Sequence, residues 1–144
     1  MINAIIEAIS VALNGEFGDR YEIHMEELEQ GLEEPCFFIF CLNPSSDLFL
    51  GKRYFRTNPF CIQYFPESSE KQRECNGVAE RMYDCLEYIT MDGDSEPIRG
   101  TKMKHEVVDG VLNFFVNYDC FVYKAAEQTA MGEMKMETQV KEGD

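Results

Sequence analysis

Asp109-Gly110, set between Val108 and Val111, is the tightest local constraint in this chain. A two-residue Asp-Gly link between β-prone segments selects a type I′ turn, and that turn fixes the pairing register of both strands. Counting outward, Val107 faces Leu112, His105 faces Phe114, Met103 faces Val116, Thr101 faces Tyr118 and Arg99 faces Cys120. One face of the ribbon is then almost wholly apolar and must lie on a core. The other face pairs Glu106 with Asn113, Lys104 with Phe115 and Lys102 with Asn117, so it is wet or an interface.

Other segments build out from this hairpin. Ile2, Ile5, Ile6, Ile9 and Leu13 recur with helical spacing and Asn14-Gly15 supplies a stop. Tyr21, Ile23 and Met25 alternate with Glu22, His24 and Glu26, the period of a half-buried strand. Residues 26–34 hold five glutamates and a glycine, which favours a solvated connection. Cys36 to Leu42 is apolar on both faces, as in a central strand covered on both sides, or on one side by another copy of the chain. Asn43-Pro44-Ser45-Ser46-Asp47 reads as a turn, and Arg53 to Phe65 as a long strand broken near Asn58 because Pro59 cannot donate to a ladder. Ser69 and Gln72 form a candidate capping box before a helix whose stripe is Cys75, Val78, Ala79, Met82, Leu86 and Ile89, ending at Met91-Asp92-Gly93-Asp94-Ser95. After Lys124 no hydrophobic stripe remains. The expected organisation is a single α+β domain over residues 1–124, a largely antiparallel sheet with two helices on one face, followed by a mobile acidic and polar tail over 125–144.

Composition narrows the function. Against 13 Lys and Arg stand 27 Asp and Glu, a formal charge of −14. Affinity for phosphate is carried mostly by Lys and Arg that displace counterions, so no specific nucleic-acid binding is expected, and anionic membranes repel such a chain. Its longest unbroken apolar run falls far below the roughly 20 residues a spanning helix needs. The segment Met1-Ile2-Asn3-Ala4-Ile5-Ile6-Glu7 lacks the basic start of a signal peptide, and a cytoplasmic product is expected. Cys36, Cys41, Cys61, Cys75, Cys85 and Cys120 contain no C-x-x-C spacing and read as reduced, packed thiols. His105 falls on the apolar face as a core-edge imidazole, and His24 on the polar face beside Glu22 and Glu26. No nucleophile motif, phosphate loop or metal-ligand spacing is present, so neither enzymatic activity nor a metal or cofactor is expected. What stands out is charge segregation: Glu26, Glu27, Glu29, Glu33 and Glu34 on one segment, against Lys52, Arg53, Arg56, Arg99, Lys102 and Lys104 on strands. These are the candidate subunit-interface residues, the acidic loop of one copy meeting the basic strands of the next, with ordinary solvated surface as the competing reading.

Three strings carry a family resemblance. Glu29-Gln30-Gly31-Leu32-Glu33-Glu34-Pro35-Cys36-Phe37-Phe38, Arg53-Tyr54-Phe55-Arg56-Thr57-Asn58-Pro59-Phe60, and Arg99 through Met103 with Val107 through Tyr118 resemble the tail terminator or tail completion proteins of prophages and phage-like elements of Firmicutes. The resemblance spans Ile2 to Lys124. It implies an α+β subunit that forms a ring, usually a six-fold hexamer, capping the head-proximal end of the tail tube. Such a ring ends tube polymerisation and joins the tail to the neck, with no catalysis. The partners it implies are the chain itself, the tail tube protein, neck or head-completion proteins and possibly a sheath. The location implied is the virion tail, after assembly in the host cytoplasm. A surplus of negative charge would also keep DNA from adhering as it passes. Another neck or head-tail connector protein, or a small acidic host-directed binding protein, remain alternatives. Ring contacts follow the fold rather than a short motif, so no residue roles transfer.

Overall fold

The computed structural model describes residues 1–26, 33–91, 96–128 and 134–141. Its elements are α1 (Ile2–Phe17), β1 (Glu22–His24), β2 (Cys36–Cys41), β3 (Ser45–Leu50), β4 (Arg53–Thr57), β5 (Pro59–Phe65), α2 (Lys71–Cys85), β6 (Tyr88–Ile89), β7 (Ile98–Arg99), β8 (Thr101–Val108), β9 (Val111–Asn117), β10 (Cys120–Gln128) and β11 (Met134–Lys141). They form a five-stranded sheet in the order β1-β2-β5-β9-β8, a four-stranded sheet in the order β11-β10-β4-β3, and the small pair β6-β7. All pairings are antiparallel except β1 with β2. This is the α+β architecture expected from the sequence, divided over more than one sheet.

Strand alternation sends Phe37 and Ile39 of β2, Phe60, Ile62 and Tyr64 of β5, and Leu112, Phe114 and Val116 of β9 to one face of the larger sheet. Both helices pack there through Ile5, Ile9 and Leu13 of α1 and Cys75, Val78, Ala79 and Met82 of α2. The opposite face of β2 carries Cys36, Phe38 and Phe40. Phe38 is only 6% exposed because His24, Phe40 and Phe65 stand around it with ring centroids 5.0 to 5.9 Å away.

The break at Asn58 is where the chain leaves one sheet for the other. Its partner strand does the same at Tyr118 and Asp119. β5 pairs with β9 from Tyr64 and Leu112 to Pro59 and Asn117, and β4 pairs with β10 from Arg56 and Cys120 to Arg53 and Tyr123, without loss of register. The two sheets therefore share one long bent ribbon. At the bend the Tyr118 N–H still donates to the Asn58 carbonyl at 2.9 Å. The reciprocal bond is replaced: Asn58 N–H donates to Asp119 Oδ1 at 3.1 Å and Asn58 Nδ2 to the Tyr118 carbonyl at 3.0 Å. Asn58, 2% exposed, thus satisfies a buried corner with its own amide.

Four local expectations are corrected. The Asp109-Gly110 register holds from Val108 and Val111 to Lys104 and Phe115, but Thr101 then faces Asn117 rather than Tyr118. The cause is a bulge at Lys102, whose φ is +52°, and it frees Arg99 to pair with Tyr88 instead of Cys120. The second helix stops at Cys85. Leu86 stays in the core as the cap of the helix and Ile89 by way of β6, rather than by another helical turn. Ser69 does not cap this helix, since Glu70 holds the N-cap position without a side-chain bond. The stretch beyond Lys124, read from its composition as a tail without regular structure, instead continues β10 and returns as β11, with ladder pairs from Phe121 and Lys141 to Gln128 and Met134. Backbone pairing does not need a hydrophobic stripe, which is why periodicity passes over it.

The loop before α2 is tied down by Glu74. Its carboxylate accepts from the N–H groups of Glu67 and Ser68, each at 3.0 Å, and from the Tyr64 hydroxyl at 2.7 Å. Burial alone would raise its pKa, but the bonds from Tyr64 and Ser68 and the nearby Arg20 outweigh burial and hold it below the ordinary carboxylate value. A carboxylate with a depressed folded pKa stabilises above its unfolded pKa, and that stabilisation fades as pH falls through the folded value. Glu74→Gln should therefore cost about 1–2 kcal/mol at pH 7. Its melting midpoint should converge on that of the wild type in acid, and a gap that stays constant from pH 7 to pH 3 would refute this origin.

Candidate subunit-contact surfaces

Eleven residues between β1 and β2 must carry the chain back so that the two strands run parallel, with Glu22 beside Cys36 and His24 beside Phe38. The described ends of the acidic segment consequently lie beside the β1 border of the five-stranded sheet. Glu26 follows β1 directly, Glu33 and Glu34 lead into β2, and all three are exposed. Glu27 and Glu29 lie outside the described residues. Met25, expected on the buried side, is 47% exposed because β1 ends at His24. Burial first, then the charges of Glu22 and Glu34, push the Cys36 thiol up to about 11.

Five of the six basic candidates fall into two groups. Lys52, Arg53 and Arg56 belong to the hairpin of β3 and β4 in the smaller sheet, where Lys52 is exposed next to the turn. The Arg53 guanidinium lies 4.2 Å from the centre of the Phe121 ring and 5.4 Å from that of Tyr123. Arg56 reaches toward the Met1 sulfur at 3.9 Å. Lys102 and Lys104 are exposed on β8, the edge of the larger sheet opposite β1, with Lys104 Nζ 5.5 Å from the Phe115 ring centre. Arg99 joins neither strand. Exposed on β7, it lines a shallow groove with Phe55, Thr101, Asp119 and Phe121, between the two sheets.

Two features escape a sequence reading. Lys124 stands 4.2 Å from the Tyr54 ring centre and joins the cationic hairpin sheet. Leu48, Phe49 and Leu50 are 62, 59 and 72% exposed on β3, a strand that begins inside the segment expected as a turn and is not itself expected from the sequence. Three apolar residues in succession fit neither a period of two nor a helical stripe, and this irregularity was the available signal.

Among the described residues, the histidines and cysteines are taken up in packing. His105 Nδ1 lies 2.8 Å from the Tyr83 hydroxyl at the core edge. His24 is half-buried against Phe38 rather than solvated, its Nε2 3.2 Å from Glu22 Oε2 without an aligned hydrogen bond. The six cysteines form no disulfide. Burial pushes the thiols of Cys41 and Cys75 up, that of Cys61 to about 11 and that of Cys85 to about 12, which suppresses the reactive thiolate. Among the described residues, no three His, Cys, Asp or Glu side chains gather in a way that could hold a metal ion, and no helix is long and apolar enough to cross a membrane.

The chain is an α+β subunit whose described acidic and basic side chains are segregated over its surface. The family model for phage tail terminator protein matches residues 4–130, nearly the whole chain. The chain belongs to that family, a family of structural proteins of the phage tail. No curated protein matches it.

Proposed function

We propose that this protein ends growth of the tail tube as a ring of identical subunits, six-fold as in the proteins it resembles, seated on the head-proximal end and presenting a surface to the neck. Its partners in this reading are further copies of itself, the tube protein and neck or head-completion proteins, with a sheath as a further neighbour if the tail contracts. The observation that carries the proposal is the placement of charge. A closed ring needs two different complementary patches on each subunit. Here Glu26, Glu33 and Glu34 border the β1 edge of the larger sheet, while the basic residues lie at β8 and on the hairpin sheet. Contacts of this kind weaken with salt because the Debye length shortens to about 8 Å at physiological ionic strength.

The test reverses the acidic border. Glu26→Lys/Glu33→Lys/Glu34→Lys removes exposed side chains only, so the thermal midpoint should stay within about 2 °C of the wild type. Association by light scattering at low salt should be lost. Particles assembled with this variant should carry tails of uncontrolled length or tails that fail to join heads. Normal tails and unchanged association in the triple variant would overturn the proposal.

A further inference from the structure

The geometry points to the hairpin of β3 and β4 as the element that docks on the acidic β1 border of the next copy, a contact that rests on the ring reading above and specifies it. Leu48, Phe49 and Leu50 are 62, 59 and 72% exposed, and all six residues of β3 are exposed. β3 is also the border strand of its sheet, so one row of its backbone donors and acceptors is unpaired. Border strands that must stay single usually carry lysine or proline or are cut short, whereas β3 reads Ser-Ser-Asp-Leu-Phe-Leu over six residues. The apolar tip is braced from behind: the Phe121 ring centre lies 5.2 Å from that of Phe49 and 5.1 Å from that of Phe55. Such a surface is built to be covered.

Charge decides what covers it. Lys52, Arg53 and Arg56 against Asp47 leave residues 45–57 at +2 on a chain of −14, and Lys124 adds another cation from β10. The ion pairs Arg20–Glu67, Arg73–Glu70 and Arg81–Glu16 use other cations. The acidic border offers Glu33 and Glu34 just before Cys36, and Glu26 beside the exposed Met25 just past His24, charge of opposite sign to the hairpin. Along the strands, one chain cannot bring its own hairpin to Glu33 and Glu34. The hairpin leaves the larger sheet at Asn58, beyond the end where Cys41 pairs with Phe60, while Glu33 and Glu34 precede Cys36, which pairs with Phe65 at the other end. A second copy supplies what the first cannot reach. Lys102 and Lys104, by contrast, flank no run of exposed apolar residues.

The experiment compares the full-length protein with Leu48→Ser/Phe49→Ser/Lys52→Glu and with Lys102→Glu/Lys104→Glu, at high concentration and low salt, by light scattering and by tail length in assembled particles. The hairpin variant is expected to fall to the mass of a single subunit with a thermal midpoint near that of the wild type, while the β8 variant stays assembled. Adding Glu33→Lys/Glu34→Lys to the hairpin variant should recover part of the association. Loss of assembly in the β8 variant with retention in the hairpin variant would overturn the contact and leave the ring intact through β8. A hairpin variant that assembles but no longer caps tubes makes the tube protein the occupant, which also overturns it. A wild type that stays monomeric under these conditions does so too, and if its absence leaves tails of normal length the ring reading itself falls.

Discussion

Gly100→Ala should lower the thermal midpoint by roughly 6–10 °C, the equivalent of about 2–3 kcal/mol for a chain of this length. A Cβ at this position would lie 2.8 Å from the Leu86 carbonyl oxygen and 2.8 Å from Val116 Cγ2. Neither neighbour can give way easily. The Leu86 carbonyl accepts the Tyr118 hydroxyl at 2.6 Å, Val116 is fully buried in the core, and the Gly100 N–H itself donates to the Glu87 carbonyl at 2.6 Å. The new methyl must therefore shift the end of β8, the exit from α2, or both. Tyr118→Phe in the same background separates the contributions, because it removes the hydroxyl that holds Leu86 in place. If the clash is with a carbonyl pinned by Tyr118, the double variant should lose less than the two single losses added together. A Gly100→Ala midpoint within 2 °C of the wild type would show that the packing here is looser than the distances imply.

Asn58→Asp should cost more than Asn58→Ala, although aspartate is nearly the same shape. Alanine removes the amide that donates to the Tyr118 carbonyl and leaves a buried acceptor unsatisfied, worth about 1–3 kcal/mol. Aspartate at neutral pH sets a carboxylate against that carbonyl and beside the Asp119 carboxylate that already accepts the residue 58 N–H, a loss of about 3–5 kcal/mol. Burial and the like charge both raise the pKa of the new carboxyl, and the sign of its pH dependence follows. The penalty is full when the group is ionised and shrinks as pH falls through its raised folded value, so the Asp variant should approach the Ala variant near pH 5. Melting curves of both variants from pH 5 to pH 8 decide this. Equal losses at pH 8 would mean that water reaches the corner and screens the charge.

The sequence made some features plain because they are local. The Asp109-Gly110 turn specifies its own φ values, with Asp109 at +52° and Gly110 at +75°, and the register it sets is correct as far as Lys104. Pro59 marks a break because it lacks an N–H, and the structure turns that break into a change of sheet. What lay beyond reach depends on distant parts of the chain. The bulge at Lys102 lies two residues from Gly100, which is pressed against Leu86 and Val116, and nothing in the local sequence announces it. The helix stripe through Ile89 was real as burial and misleading as geometry, because a two-residue strand can present the same side chain to the same core, whereas Leu86 is buried as the residue that caps the helix. Of the proposed contact surfaces, the acidic segment was visible as composition. The grouping of the cations was not, since Lys124 comes next to Tyr54 through pairing of β4 with β10, and Arg99 shares a groove with Phe121 only through the packing of separate sheets.

The unbroken register of the bent ribbon has a mechanical consequence. Strands β4 and β5 on one side and β9 and β10 on the other form a single ladder, so a pull on the hairpin tip along its strands shears many backbone bonds at once instead of peeling them one at a time. The corner at Asn58 adds side-chain bonds at the point where such a ribbon would first give. Force applied at the periphery is thereby delivered into the sheet beneath the helices, and the hairpin and core are expected to yield together in a single event when the molecule is stretched from the tip.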